Sequence, residues 1–123
     1  MSNGKKIALW IVSILLAAAF LMSGGFKLLK PDEARAGFVH YGYAPWFAIL
    51  IGVSEALGAI GLLIPRLAAL AAAGLSIIMV GAFFTHLTHH EASHTVVPLV
   101  LMALLVGVGY TRFKKAGDSP SAR

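Results

Sequence analysis

Four long stretches nearly free of charge limit what this chain can become. Residues 7–26, 67–85 and 95–111 hold no Asp, Glu, Lys or Arg, and residues 45–65 hold only Glu55. Each meets or approaches the roughly 20 apolar residues a helix needs to cross the hydrocarbon core of a bilayer. With 59% hydrophobic and 12% charged residues in a chain of 123, there is far more apolar surface than a water-soluble domain of this size can hide. Lipid must therefore be part of the solvent. The expected fold is all-α, an integral membrane four-helix bundle over residues 7–112. A short N-terminal segment (1–6) precedes it, and a basic, Ser/Pro/Gly-containing tail (113–123) follows and is expected to be disordered.

The segments between the spans are short. Pro31-Asp32-Glu33-Ala34-Arg35 reads as a helix start, with proline in the first turn and acids at the positive dipole end, and Gly42 as its stop. That piece is expected to lie along the membrane surface, with Phe38, Tyr41, Tyr43 and Trp46 as an interfacial aromatic belt. Lys5 and Lys6 ahead of an apolar run and three alanines also fit a cleavable leader. The apolar run, however, continues past the alanines to Phe26, as a span does.

The net charge of +5 does not mark a nucleic-acid binder, because the basic residues sit at span ends and form no basic helix. They orient the chain instead. With both termini cytoplasmic, Lys5, Lys6, Arg66, Arg112, Lys114, Lys115 and Arg123 fall inside, and only Lys27, Lys30 and Arg35 outside. The expected location is a bacterial-type inner membrane. The absence of cysteine excludes disulfides, thiolate metal sites and thiol exchange carried by this chain.

Two groups of residues carry candidate chemistry. Glu55 lies about 15 Å from either end of its span, near the midplane. A carboxylate facing lipid there costs at least about 2.5 kcal/mol, so it should face protein. Successive helical residues turn by about 100°, which puts Ala48, Ile51, Gly52, Gly58, Ala59 and Leu62 on its face and leaves room for a close helix neighbour. Glu55 is either interhelical glue or the anchor of a ligand or proton path. Ser76 is expected at similar depth. Lys27 is the candidate counter-charge, although counting turns from the helix ends places it well above Glu55, so that a pair needs a kink at Gly24-Gly25 or a tilted span.

The second group is His86, His89, His90 and His94, with Glu91 among them and His40 on the preceding outer segment. Spacings of three and four place the first three on one broad helical side. Imidazoles so spaced ligate zinc or copper or respond to pH, and the plainer alternative, a solvated cap where span three leaves the membrane, is preferred here. His86 and His90 are the residues expected to contact a ligand or proton at the mouth of the bundle. No nucleophile elbow, P-loop or dinucleotide fingerprint occurs.

The chain resembles the DoxX family, in particular its short DoxX-like branch. The resemblance rests on Ser23-Gly24-Gly25-Phe26-Lys27-Leu28, Gly42-Tyr43-Ala44-Pro45, Ile51-Gly52-Val53-Ser54-Glu55-Ala56-Leu57-Gly58 and Leu62-Leu63-Ile64-Pro65-Arg66. It implies a four-helix membrane bundle in which Glu55 and Lys27 match recurrent polar positions. It also implies a link to quinol oxidase, thiosulfate:quinone and other membrane redox complexes, or, through distant relatives, to assembly of other membrane proteins. The resulting expectation is an accessory or ligand-binding subunit of redox or quinone metabolism. The alternatives are a non-enzymatic assembly helper and a catalytic oxidoreductase subunit. Quinone is the named candidate cofactor, and other membrane subunits or a second copy are the candidate protein partners.

Overall fold

The computed structural model describes residues 2–118. All regular structure in them is helical: α1 (Asn3–Leu29), α2 (Pro31–His40), α3 (Pro45–Leu62), α4 (Ala68–Thr88), a 3-10 turn (Ala92–Thr95) and α5 (Val96–Asp118). Helices α1, α3, α4 and α5 have the length and hydropathy to cross a membrane. Large apolar side chains cover their outward surfaces, with Leu15, Met22, Leu70 and Ile77 each at least 66% exposed. Only lipid makes such a surface inexpensive. The chain is a small, multi-pass integral membrane protein.

The four spans form a ring in which α1 packs on α3, α3 on α4, α4 on α5, and α5 closes more lightly on α1. Each buried seam follows helical periodicity with small residues: Ala48, Gly52, Glu55, Ala59 and Leu62 on α3, and Ala68, Ala72, Leu75 and Met79 on α4. The tightest approach joins α1 to α3. A Cβ on Gly24 would stand 2.6 Å from the Gly52 carbonyl oxygen and 2.8 Å from the Ala56 nitrogen, so only glycine permits this spacing.

Short α2 folds across one end of the ring and packs on the start of α3. Phe38 contacts Tyr43 and Phe47, with ring centroids 5.9 and 6.0 Å apart. The expected interfacial belt is therefore only partly a belt. Trp46 is 65% exposed, whereas Phe38, Tyr41 and Phe47 are partly buried and, with the more exposed Tyr43, line the wall of a cavity.

At the opposite end, helix α5 runs on through Asp118, so residues 113–118 are helical where a disordered tail is expected; positions 119–123 lie outside the described residues. Helix α1 begins as early as Asn3. Arg112 is buried beside it, with its guanidinium carbon 4.6 Å from the centre of the Trp10 ring.

Candidate functional site

A cavity of about 790 Å³ opens between the four spans beneath α2. Most of its wall is apolar, including Phe20, Ile51, Ile78, Met79 and Leu101, and Ser23, Lys27 and Glu55 interrupt it. Lys27 Nζ lies 2.7 Å from Glu55 Oε1 and donates to Ser23 Oγ at 2.8 Å. Ser23 Oγ is 3.1 Å from both carboxylate oxygens, and its single proton serves one of them at a time. The Glu55 side chain is only 4% exposed and that of Lys27 17%. The acid thus has its counter-charge beside it, without which burial would be prohibitive.

The pair forms within a continuous α1, with no break at Gly24-Gly25. Turn counting assumes that neighbouring spans end at the same height, and here they do not. A Cβ on Gly52 would stand 2.8 Å from the Lys27 Cβ; Gly52 lies about two turns into α3 and Lys27 about half a turn before the end of α1, so α3 overshoots α1 by about one and a half turns. Antiparallel packing supplies the rest. Helical side chains lean toward their own N-terminus, so Lys27 and Glu55 lean toward each other. Ser23, one turn before Lys27 on the same face, completes the triangle; its i,i+4 spacing from Lys27 is the sequence signal that could have singled it out.

A second polar group sits at the α2 end of the cavity. Glu91 Oε1 accepts from Tyr41 OH at 2.8 Å and lies 2.8 Å from His86 Nδ1. Glu91 Oε2 lies 3.9 Å from His94 Nδ1. The hydrogen bonds from His86 and Tyr41 hold the Glu91 carboxyl below the usual glutamate range. The same bond to Glu91, reinforced by burial and the nearby negative charge, pushes the Tyr41 phenol up.

The fold that builds this group differs from a continuous histidine helix. Helix α4 ends at Thr88, and His90 adopts a left-handed backbone with φ of 60°. The His90 amide donates to the Leu87 carbonyl and the Glu91 amide to the His86 carbonyl, at 3.3 and 2.9 Å. This is the Schellman end of a helix, with histidine where glycine is usual. The reversal swings Glu91 back over His86 and turns His90 out of the cluster, into an exposed position. His94 returns on the 3-10 turn.

Of the residues singled out in the sequence, Lys27, Glu55 and His86 share the cavity wall. Ser76 does not join them: its hydroxyl donates to the Ala72 carbonyl of its own helix at 2.7 Å. Tyr41, Glu91 and His94 carry the mouth of the cavity instead. Their meeting joins two separate connections of the chain, α2 to α3 and α4 to α5, which spacing along one helix does not reveal.

A family model described as the DoxX-like family matches residues 11–108. The chain belongs to the DoxX-like family. That span takes in both polar groups and nearly all of the ring. Neither a curated protein nor a solved structure matches this DoxX-like chain.

Proposed function

We propose that this DoxX-like protein is a ligand-binding, accessory subunit of membrane redox metabolism, and that its cavity houses one amphipathic molecule with a quinone-type head group. The observation that carries the reading is a buried ammonium–carboxylate pair set into the wall of an otherwise apolar cavity of about 790 Å³. That volume lies within the range of small-molecule sites, which combine apolar walls with a few fixed polar groups. A quinone carbonyl accepts hydrogen bonds but donates none, and Lys27 and Ser23 are donors. An isoprenoid tail matches the surface of Phe20, Ile51, Ile78 and Leu101. Glu55 has the role of holding the lysine inward, since a free lysine extends toward the interface. Binding rather than turnover is the proposed role.

The proposed setting is a bacterial-type inner membrane with both termini cytoplasmic. The seven-to-three distribution of basic residues supports it, as does the groove that Lys5 and Lys6 of α1 share with Lys114 and Lys115 of α5, which puts both helix ends on one side.

The test is purification of the full chain in mild detergent, followed by mass spectrometry of the extracted small molecules. Wild type should carry a quinone-class molecule at a near-stoichiometric level. Glu55→Gln should fold and lose most of it. Wild type carrying only bulk lipid, or a Gln variant that retains the molecule equally, refutes the reading.

A further inference from the structure

The polar group at the cavity mouth contains a donor set of its own. His86, Glu91 and His94 each offer one ligand atom, and these atoms lie within 4.8 Å of one another. Zinc bound by nitrogen and oxygen at about 2.0–2.2 Å keeps its ligand atoms roughly 3.3 Å apart in a tetrahedron. The closest approaches to the two carboxylate oxygens bracket that value, 2.8 Å from His86 Nδ1 to Oε1 and 3.9 Å from His94 Nδ1 to Oε2, within a set whose ligand atoms span no more than 4.8 Å. The His94 side chain is 63% exposed and has room to turn toward an ion. We propose that His86, Glu91 and His94 form a divalent-metal site of the zinc class at the α2 end of the cavity.

Four features support that assignment. Two imidazoles and one carboxylate form the donor set of open zinc sites, in which three protein ligands leave a fourth position free. Tyr41 donates to the Glu91 carboxylate, the outer contact that orients a metal-binding carboxylate. The two oxygens of that carboxylate each face an imidazole, Oε1 toward His86 and Oε2 toward His94. Finally, the Schellman reversal at His90 positions Glu91 by backbone hydrogen bonds as well as by its side chain. Binding displaces the proton between His86 Nδ1 and Glu91, which the neutral imidazole carries on Nε2 instead. Because His86 and His94 both line the cavity, an ion here sits at its rim. The donor set is narrower than the group read in the sequence: it keeps His86, Glu91 and His94 and leaves out His89 and His90.

The inference stands apart from the quinone reading, and its test uses metal alone. The full chain in mild detergent, stripped with a chelator, is titrated with Co²⁺ and then with Zn²⁺. Wild type should develop a saturable d–d absorption band at one Co²⁺ per chain, and Zn²⁺ should abolish it. His94→Ala and Glu91→Gln should each weaken Co²⁺ binding tenfold or more. His94 is the cleaner variant: its side chain is 63% exposed and approaches Glu91 no closer than 3.9 Å, so its loss leaves the fold intact. His89→Ala and His90→Gly should bind within twofold of wild type, the glycine because it adopts the left-handed backbone without a steric penalty. Absence of a saturable band in wild type overturns the proposal. So does His94→Ala binding like wild type, or His89→Ala losing as much as His94→Ala.

Discussion

Removing one half of the Lys27–Glu55 pair, the lysine above all, should cost more than removing both. The side chains are 17% and 4% exposed and their charges 2.7 Å apart. Lys27→Met leaves the carboxylate with the single Ser23 proton as its remaining support. Breaking a buried pair from one side costs about 3–5 kcal/mol, and the Ser23 hydroxyl still donating to the orphaned acid should bring this variant to the lower end, about 3 kcal/mol. Glu55→Gln is gentler. The amide oxygen still accepts from Lys27 and Ser23, and the more exposed lysine can extend toward the interface, so a cost of about 1–2 kcal/mol is expected. In Lys27→Met/Glu55→Gln no charge is left to strand, and the double variant should lie within about 1 kcal/mol of wild type. The coupling energy is then about 3–5 kcal/mol, at or above the upper end for residues in direct contact. Equilibrium unfolding of the four proteins in mixed micelles measures it. If the two single losses simply add, the pair contributes no mutual stabilisation and the account of why Glu55 tolerates burial is wrong.

Two adjacent glycines should respond in opposite directions. Gly24→Ala drives a methyl against the Gly52 and Ala56 backbone and should destabilise by about 1–3 kcal/mol, whereas a Cβ on Gly25 meets nothing within 4 Å and Gly25→Ala should be neutral or stabilising by up to about 1 kcal/mol; the same micelle unfolding decides. In chelator, the stability advantage of wild type over Glu91→Gln should depend on pH at both extremes. The lowered Glu91 pKa gives a contribution that is present above the ordinary carboxylate range and lost as pH falls through the folded value beneath it. The raised Tyr41 pKa gives one that is present up to the ordinary phenol range and lost as pH climbs through the folded value above it. A thermal-unfolding difference unchanged in acid would remove the carboxylate from the network. For topology, Ser93→Cys should react with an impermeant thiol reagent in intact cells and Ser2→Cys should not; the reverse pattern overturns the orientation.

The sequence alone determined that this chain is a four-span helical membrane protein, because the constraint is nearly one-dimensional. Uninterrupted apolar length decides whether a segment can cross a bilayer, and a backbone in hydrocarbon must satisfy its hydrogen bonds within the segment. It also placed Glu55 on a small-residue face, since helical periodicity fixes which residues share a side. What periodicity does not contain is the axial offset between helices. The overshoot of α3 past α1 by about one and a half turns, set by Gly24 meeting Gly52 and Ala56, is what converts Lys27 from an interfacial lysine into the partner of Glu55. The same holds at the cavity mouth. Four histidines at helical spacing pointed to one face, but a left-handed residue at His90 broke that face, excluded His90 and delivered Glu91 to His86. Tyr41 meets Glu91 across 50 residues of chain, a contact made only because α2 folds over the ring. Local pattern sets which helices form; the height at which they meet and the turns between them decide which polar groups touch.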